Sequence, residues 1–202
     1  DADYRLGALV VDAVHFVPQS RPRLFIVALK NDSLLPNELT SCGAHNVWHP
    51  TAVVRAYQAL SPQAKNGWIW WNLPMPDMTL PRLRAIIDVE PGNNQWNSQA
   101  ETEQLLSLMT PSHLAKVKEA QATGRLQIGT VYKRTRSQDG KKGQRAEVRF
   151  DGISGCLRTP TGGSSRQTIL VVEGDSIRSR LLSVREAARL MGLSDNYWLP
   201  ER

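Results

Sequence analysis

Residues 16–30 read F-V-P-Q-S-R-P-R-L-F-I-V-A-L-K. Gln19, Arg21 and Arg23 alternate, and the unbroken apolar run Leu24 to Leu29 follows at once. A continuous rather than alternating run marks a strand meant to be covered on both faces. Upstream, Y-R-L-G-A-L-V-V at 4–11 reads as a partner strand, and the turn-rich V-H-F-V-P-Q-S-R-P joins the two. Three polar side chains are thus fixed at the mouth of a strand that wants to be buried. Residues at i and i+2 of a strand share a face, so Arg21 and Arg23 are expected to converge on one ligand. A guanidinium stays charged and presents a rigid fork of donors, which suits a carbonyl or a phosphate.

The charge of the rest of the chain points the same way. Of the 202 residues, Lys and Arg exceed Asp and Glu by six, and the excess lies in one place. Residues 125–149 hold Arg125, Lys133, Arg134, Arg136, Lys141, Lys142, Arg145 and Arg149 against Asp139 and Glu147. Elsewhere seventeen basic groups balance seventeen acidic ones. A single basic segment in a neutral chain is the footprint of a phosphate-bearing partner. No apolar stretch reaches membrane-spanning length, and D-A-D-Y-R is no signal peptide. Two cysteines, Cys42 and Cys156, make no disulfide framework, so a cytoplasmic setting is expected. Cys42, His45 and His49 lie close in sequence, but no fourth ligand is near and no metal is assigned.

Further along, Thr51 to Leu60 predicts a short helix stopped by Ser61-Pro62, and W-I-W-W at 68–71 predicts a small aromatic core. Ser98 with Glu101 is a capping-box pattern opening a helix with Leu105, Leu106, Leu108 and Met109. Thr110-Pro111 restarts a helix that ends at Gly124. Strands are expected at 126–132 and 146–150, bracketing K-R-T-R-S-Q-D-G-K-K-G-Q-R at 133–145 as a basic loop, and another at 168–173. Ser183 and Glu186 form a second capping box, before a helix whose apolar stripe reads Val184, Ala187, Ala188 and Met191, with Gly192 at its stop.

Three segments carry the functional reading: P-Q-S-R-P-R at 18–23, C-L-R-T-P-T-G-G-S-S-R-Q at 156–167, and R-S-R-L-L-S-V-R-E-A-A-R-L-M-G at 178–192. The middle one offers consecutive N–H groups, small side chains and hydroxyls to a phosphate, yet no Lys-Ser/Thr follows its glycines, so it is not a nucleotide-binding P-loop. In this order the three resemble the C-terminal part of DNA cytosine-5 methyltransferases. There a Gln-x-Arg-x-Arg motif precedes a sheet strand, a variable target-recognition region follows, and then come a Thr/Gly-rich segment and a helix reading roughly Arg-Glu-x-Ala-Arg-x-Met-Gly. Gln19, Arg21 and Arg23 match the first motif, and Arg185, Glu186, Ala188, Arg189, Met191 and Gly192 the last.

The resemblance implies an α+β fold. Residues 1–32 would be a terminal β-hairpin of a truncated Rossmann-like methyltransferase domain, and 33–202 a mixed target-recognition domain with the following helix. It implies that Arg21 and Arg23, supported by Gln19, face a cytosine flipped out of duplex DNA. Lys133, Arg134, Arg136, Lys141, Lys142, Arg145, Arg158, Ser164, Ser165 and Arg166 are the expected DNA contacts. The family's nucleophile is a cysteine in a Pro-Cys motif, and its methyl donor is S-adenosyl-L-methionine. Neither Cys42 nor Cys156 follows a proline, and no strand, Gly-rich turn and helix opens the chain. The chain is therefore expected to be a fragment that lacks catalytic cysteine and cofactor site, or alternatively a non-catalytic DNA-binding subunit of a split methyltransferase. Its first thirty residues are expected to expose apolar surface, and so to self-associate or to bind a chain carrying the missing region.

Overall fold

The computed structural model describes residues 3–76, 82–91, 96–138, 141–158 and 166–200, with the backbone alone at 136–138 and 141. The architecture is α+β, with helices beside small antiparallel sheets. Two compact units divide the chain, one of Asp1–His15 with Pro22–Met78, the other of Phe16–Arg21 with Thr79–Arg202.

In the first unit β1 (Tyr4–Asp12) pairs antiparallel with β2 (Pro22–Lys30), so the expected hairpin forms. A second small sheet pairs β3 (Thr40–Ser41) with β4 (Trp70–Trp71). Leu9, Trp48, Ile69 and Trp71 are the buried core. Gly7 belongs to it for a steric reason, since a Cβ there would fall on the carbonyl of Ile69. Helix α1 (Thr51–Gln58) ends two residues before Leu60. Ser61-Pro62 then starts a helix instead of only stopping one. Ser61 Oγ accepts from Ala64 N–H and Pro62 sits in the first turn of α2 (Pro62–Asn66), where its missing N–H costs nothing.

The β2 run is not covered. Leu24, Phe25, Ile26 and Val27 are exposed on both faces, and β1 is the one strand paired with β2 among the described residues.

The second unit is built on a four-stranded antiparallel sheet. Its order is β6 (Lys141–Arg149), β5 (Gln127–Gln138), β7 (Thr168–Glu173), β8 (Ser176–Leu181). Leu170 and Val172 pack against α4 (Gln99–Ser107) and α5 (Pro111–Ala122) on one face. Ile169 and Val171 pack against α3 (Leu83–Ile86) and α6 (Val184–Leu190) on the other. Both capping boxes form, Ser98 with Glu101 and Ser183 with Glu186.

Two sequence expectations are corrected. Residues 133–145 are not a loop but mostly the paired arms of a long hairpin, with register Lys133↔Ala146, Arg134↔Arg145 and Arg136↔Gly143. Lys and Arg reach away from a strand on long stems, and Val131, Tyr132 and Thr135 favour extended backbone, so charge did not prevent pairing. The apolar stripe assigned to α6 holds at Ala188 but not at its ends. Val184 and Met191 are 64% and 65% exposed, while Glu186, Ala188 and Leu190 are buried. A buried acid was hidden from a hydrophobicity pattern because its partner lies on another element. Arg180 of β8, fully buried, donates to both Glu186 oxygens, at 2.8 Å from Nη1 to Oε2.

Candidate nucleic-acid interface

Gln19 is where the three sequence segments meet. It is 3% exposed, its Nε2 donates to the Leu190 carbonyl at the end of α6 (3.0 Å), and its Oε1 accepts from Leu157 N–H (3.0 Å). Ser20 N–H donates to the Ser154 carbonyl (2.9 Å), and Ser154 N–H to the Pro18 carbonyl (2.8 Å). The Pro18–Ser20 stretch is thereby stitched to 154–157 and to α6. Amide donor and acceptor both serve the backbone, so Gln19 acts as a clamp. Arg21, next but one, is exposed and reaches the Leu157 carbonyl with Nη1 (3.4 Å). Arg23 belongs to the first unit, where it starts β2 and donates from Nη1 to the Pro22 carbonyl (2.8 Å).

The basic residues divide by strand alternation. Thr130, Tyr132 and Arg134 of β5 share a face with Arg145, Glu147 and Arg149 of β6. Lys133 lies on the opposite face with the buried Val131, Ala146 and Val148. Arg134 stands directly across from Arg145, an unfavourable pair that Glu147 relieves at 3.3 Å from Arg134. Tyr132 draws two guanidinium groups to its ring, Arg134 at 4.9 Å and Arg158 at 5.3 Å from the centroid. Arg149 is tied to Asp151. Burial pushes the Asp151 carboxyl up, but hydrogen bonds and attraction from Arg149 outweigh it and hold the group below its ordinary value.

Lys142 and Arg166 are exposed, on the outer part of β6 and just before β7. Side chains of Arg136 and Lys141, and the whole of Ser164 and Ser165, lie outside the described residues. Arg134 and Arg158 are thus the two predicted contacts that the fold brings onto one ring.

Beside them is a cavity of about 260 Å³, whose lining includes Lys116, Thr130, Tyr132, Arg134, Arg158 and Gln167. Sequence reading missed Tyr132, Lys116 and Gln167. For Tyr132 a signal existed, since Thr130, Tyr132 and Arg134 have the period-two spacing of one strand face. Lys116 and Gln167 are placed only by tertiary packing.

In the first unit His45 N–H donates to His49 Nδ1 (2.8 Å), and His49 stands edge-on to Trp70 at 4.9 Å. Burial holds the His49 imidazole below its ordinary pKa, and because Nδ1 accepts from His45 N–H, a neutral ring there carries its proton on Nε2. Among the described residues no group of three or more His, Cys, Asp or Glu gathers as a metal site would need. No helix among them is long and apolar enough to cross a membrane.

The family model for C-5 cytosine-specific DNA methylase matches residues 1–202. No curated protein and no solved structure matches the chain.

Proposed function

This chain belongs to the C-5 cytosine-specific DNA methylase family, and we propose that it supplies target recognition and part of the cytosine pocket to a DNA cytosine-5 methyltransferase. The observation that carries this reading is the convergence on Gln19. Two hydrogen bonds from one buried amide fix residues 18–21 to the 154–157 segment and to the end of α6, which are the three segments whose sequences carry the resemblance. Residues 1–32 end the catalytic domain on this reading, and 33–202 carry recognition. Gln19 is the positioning residue, and Arg21 and Arg23 present donors to an everted cytosine. Arg134, Lys142, Arg145, Arg158 and Arg166, with Lys133, Arg136, Lys141, Ser164 and Ser165, meet the duplex. Unstacking a base costs a few kcal/mol, which phosphate contacts offset.

The family's methyl donor is S-adenosyl-L-methionine, and it supplies the transferred carbon. The described residues do not fit it. Every sheet pairing among them is antiparallel, and no glycine-rich turn leads from a parallel strand into a helix. Neither cysteine follows a proline. On this reading cofactor and nucleophile belong to another region, and β2 is the surface on which that region docks, as a strand added to the edge left unpaired among the described residues.

Complementation tests the whole reading. This chain is mixed with a chain that holds the Pro-Cys motif, labelled S-adenosyl-L-methionine and duplex DNA. Methyl transfer should appear, and Arg21→Ala or Arg23→Ala should lower it on the order of 100-fold while duplex affinity changes far less. Duplex binding with no methyl transfer in any mixture favours the specificity-subunit alternative.

A further inference from the structure

The cavity beside the β5–β6 hairpin has a floor and a rim of different chemistry. Its floor holds Thr130 and Gln167, 1% and 4% exposed. Gln167 Nε2 donates to the Val131 carbonyl (3.1 Å), but Gln167 Oε1, equally enclosed, has no hydrogen-bond partner among the described residues. A buried acceptor left bare is costly, so this oxygen calls for a donor from outside. Gly155 packs against that oxygen, where a Cβ would crowd it at 3.2 Å, so a donor reaches it only as this small residue gives way. The rim holds the exposed Lys116, Arg134 and Arg158 with the half-buried Arg149, and Glu147, the one carboxylate of the lining among the described residues, already faces Arg134.

A ligand must then bring an N–H inward and negative charge outward. Inorganic phosphate can offer an O–H to Oε1 but has no planar group to set against Tyr132 and its two guanidinium groups. A simple amine fails the second against four cations. A nucleotide meets both. The guanidinium groups of Arg134 and Arg158 on Tyr132 also give it a planar wall to stack on. The volume falls below the range of about 300–1,000 Å³ usual for drug-sized ligands, so it takes a base and its sugar with the phosphate left at the rim, and not a strand.

We propose that this cavity receives a single unstacked nucleotide of the bound DNA. Its base donates to Gln167 Oε1 and its phosphate lies against Lys116 and Arg158. This is a site additional to the cytosine pocket of Arg21 and Arg23, and it rests on the reading that the chain binds DNA. All four bases carry an N–H, so Gln167 Oε1 alone does not choose among them.

Two measurements on the full protein test it. First, in a Cys42→Ser background, Cys156 in the cavity wall is the remaining thiol and is titrated with a maleimide. The four deoxynucleoside 5′-monophosphates should slow its labelling, and inorganic phosphate at the same concentration should not. Second, Gly155→Val should plug the floor and weaken duplex binding about tenfold, with a melting temperature near that of the parent. The labelling arm needs no change in the floor and stands even where Gly155→Val fails to fold. Unchanged labelling by nucleotides, with duplex binding intact in Gly155→Val, means that the cavity holds water only and overturns the proposal while the DNA reading stands. Absence of duplex binding in the parent protein takes down both.

Discussion

β2 holds L-F-I-V-A-L at 24–29 and β7 holds I-L-V-V at 169–172, and the two runs are equally apolar. In β7 every one of these side chains is buried, with β5 and β8 on its edges and a helical layer on each face. In β2 Leu24, Phe25, Ile26 and Val27 are exposed, and Ile26 is 68% so. An unbroken apolar run thus states what a strand requires. Whether the requirement is met depends on layers that the run itself does not encode. β7 has its layers within its own unit, whereas β2 has one neighbouring strand among the described residues and only Leu29 packed against a core.

The buried side of this contrast should break hardest at Arg180, on β8 beside β7. Arg180→Leu leaves Glu186 charged and enclosed without its partner, and should cost about 3–5 kcal/mol in denaturant unfolding. Replacing both, as Arg180→Met with Glu186→Leu, should recover only part of that. Glu186 also accepts from Asp88 N–H (2.8 Å) and Ser183 N–H (2.8 Å), and those donors would be orphaned. In β7 itself, Leu170→Ala removes a fully buried side chain between α4, α5 and the sheet and should cost about 2–4 kcal/mol.

Acid should expose the same lock more gently. Burial pushes the Glu186 carboxyl up, but hydrogen bonds from Arg180, Ser183 and Asp88 and the attraction of Arg180 outweigh it, so its pKa lies below the ordinary value. A carboxyl depressed in the folded state adds stability in full above its ordinary pKa and loses it as pH falls through the folded one. Unfolding free energy should therefore decline on acidification below the ordinary carboxylate range. Glu186→Gln should start lower and decline less, which a urea series across pH would show.

These residues also mark what the sequence could disclose. Capping boxes at Ser98 and Ser183 were legible because both partners lie within four residues of each other. The β1–β2 hairpin was legible from apolar runs around a turn. β8 was not, since S-I-R-S-R-L sets Arg180 inward, and an inward arginine makes sense only once Glu186 and the Asp88 carbonyl are in place. The stripe of α6 missed Glu186 for the same reason from the other side. Of the interface, the arginines could be named but not sorted, because the register of β5 against β6 decides which of them shares a face with Tyr132. Gln167 closes the 156–167 segment, but nothing in that segment singles it out, because its role rests on a buried oxygen without a donor at the bottom of a cavity.

The smallest effect on stability belongs to β2, and it sharpens the contrast most. Ile26→Ala removes a side chain that touches little in the isolated chain, so dilute unfolding should shift by no more than about 0.5 kcal/mol, far below Leu170→Ala. Association should respond instead. With its edge unpaired and both faces apolar, the parent chain should show a concentration-dependent rise in mass by sedimentation velocity. Ile26→Lys should suppress it, because a charge on the face opposes strand addition. The same substitution should then weaken docking of the chain that carries the Pro-Cys motif, since both occupants compete for one strand edge. A dilute monomer in which Ile26→Ala costs as much as Leu170→Ala would mean that β2 is covered within its own chain, and the difference between the two strands would vanish.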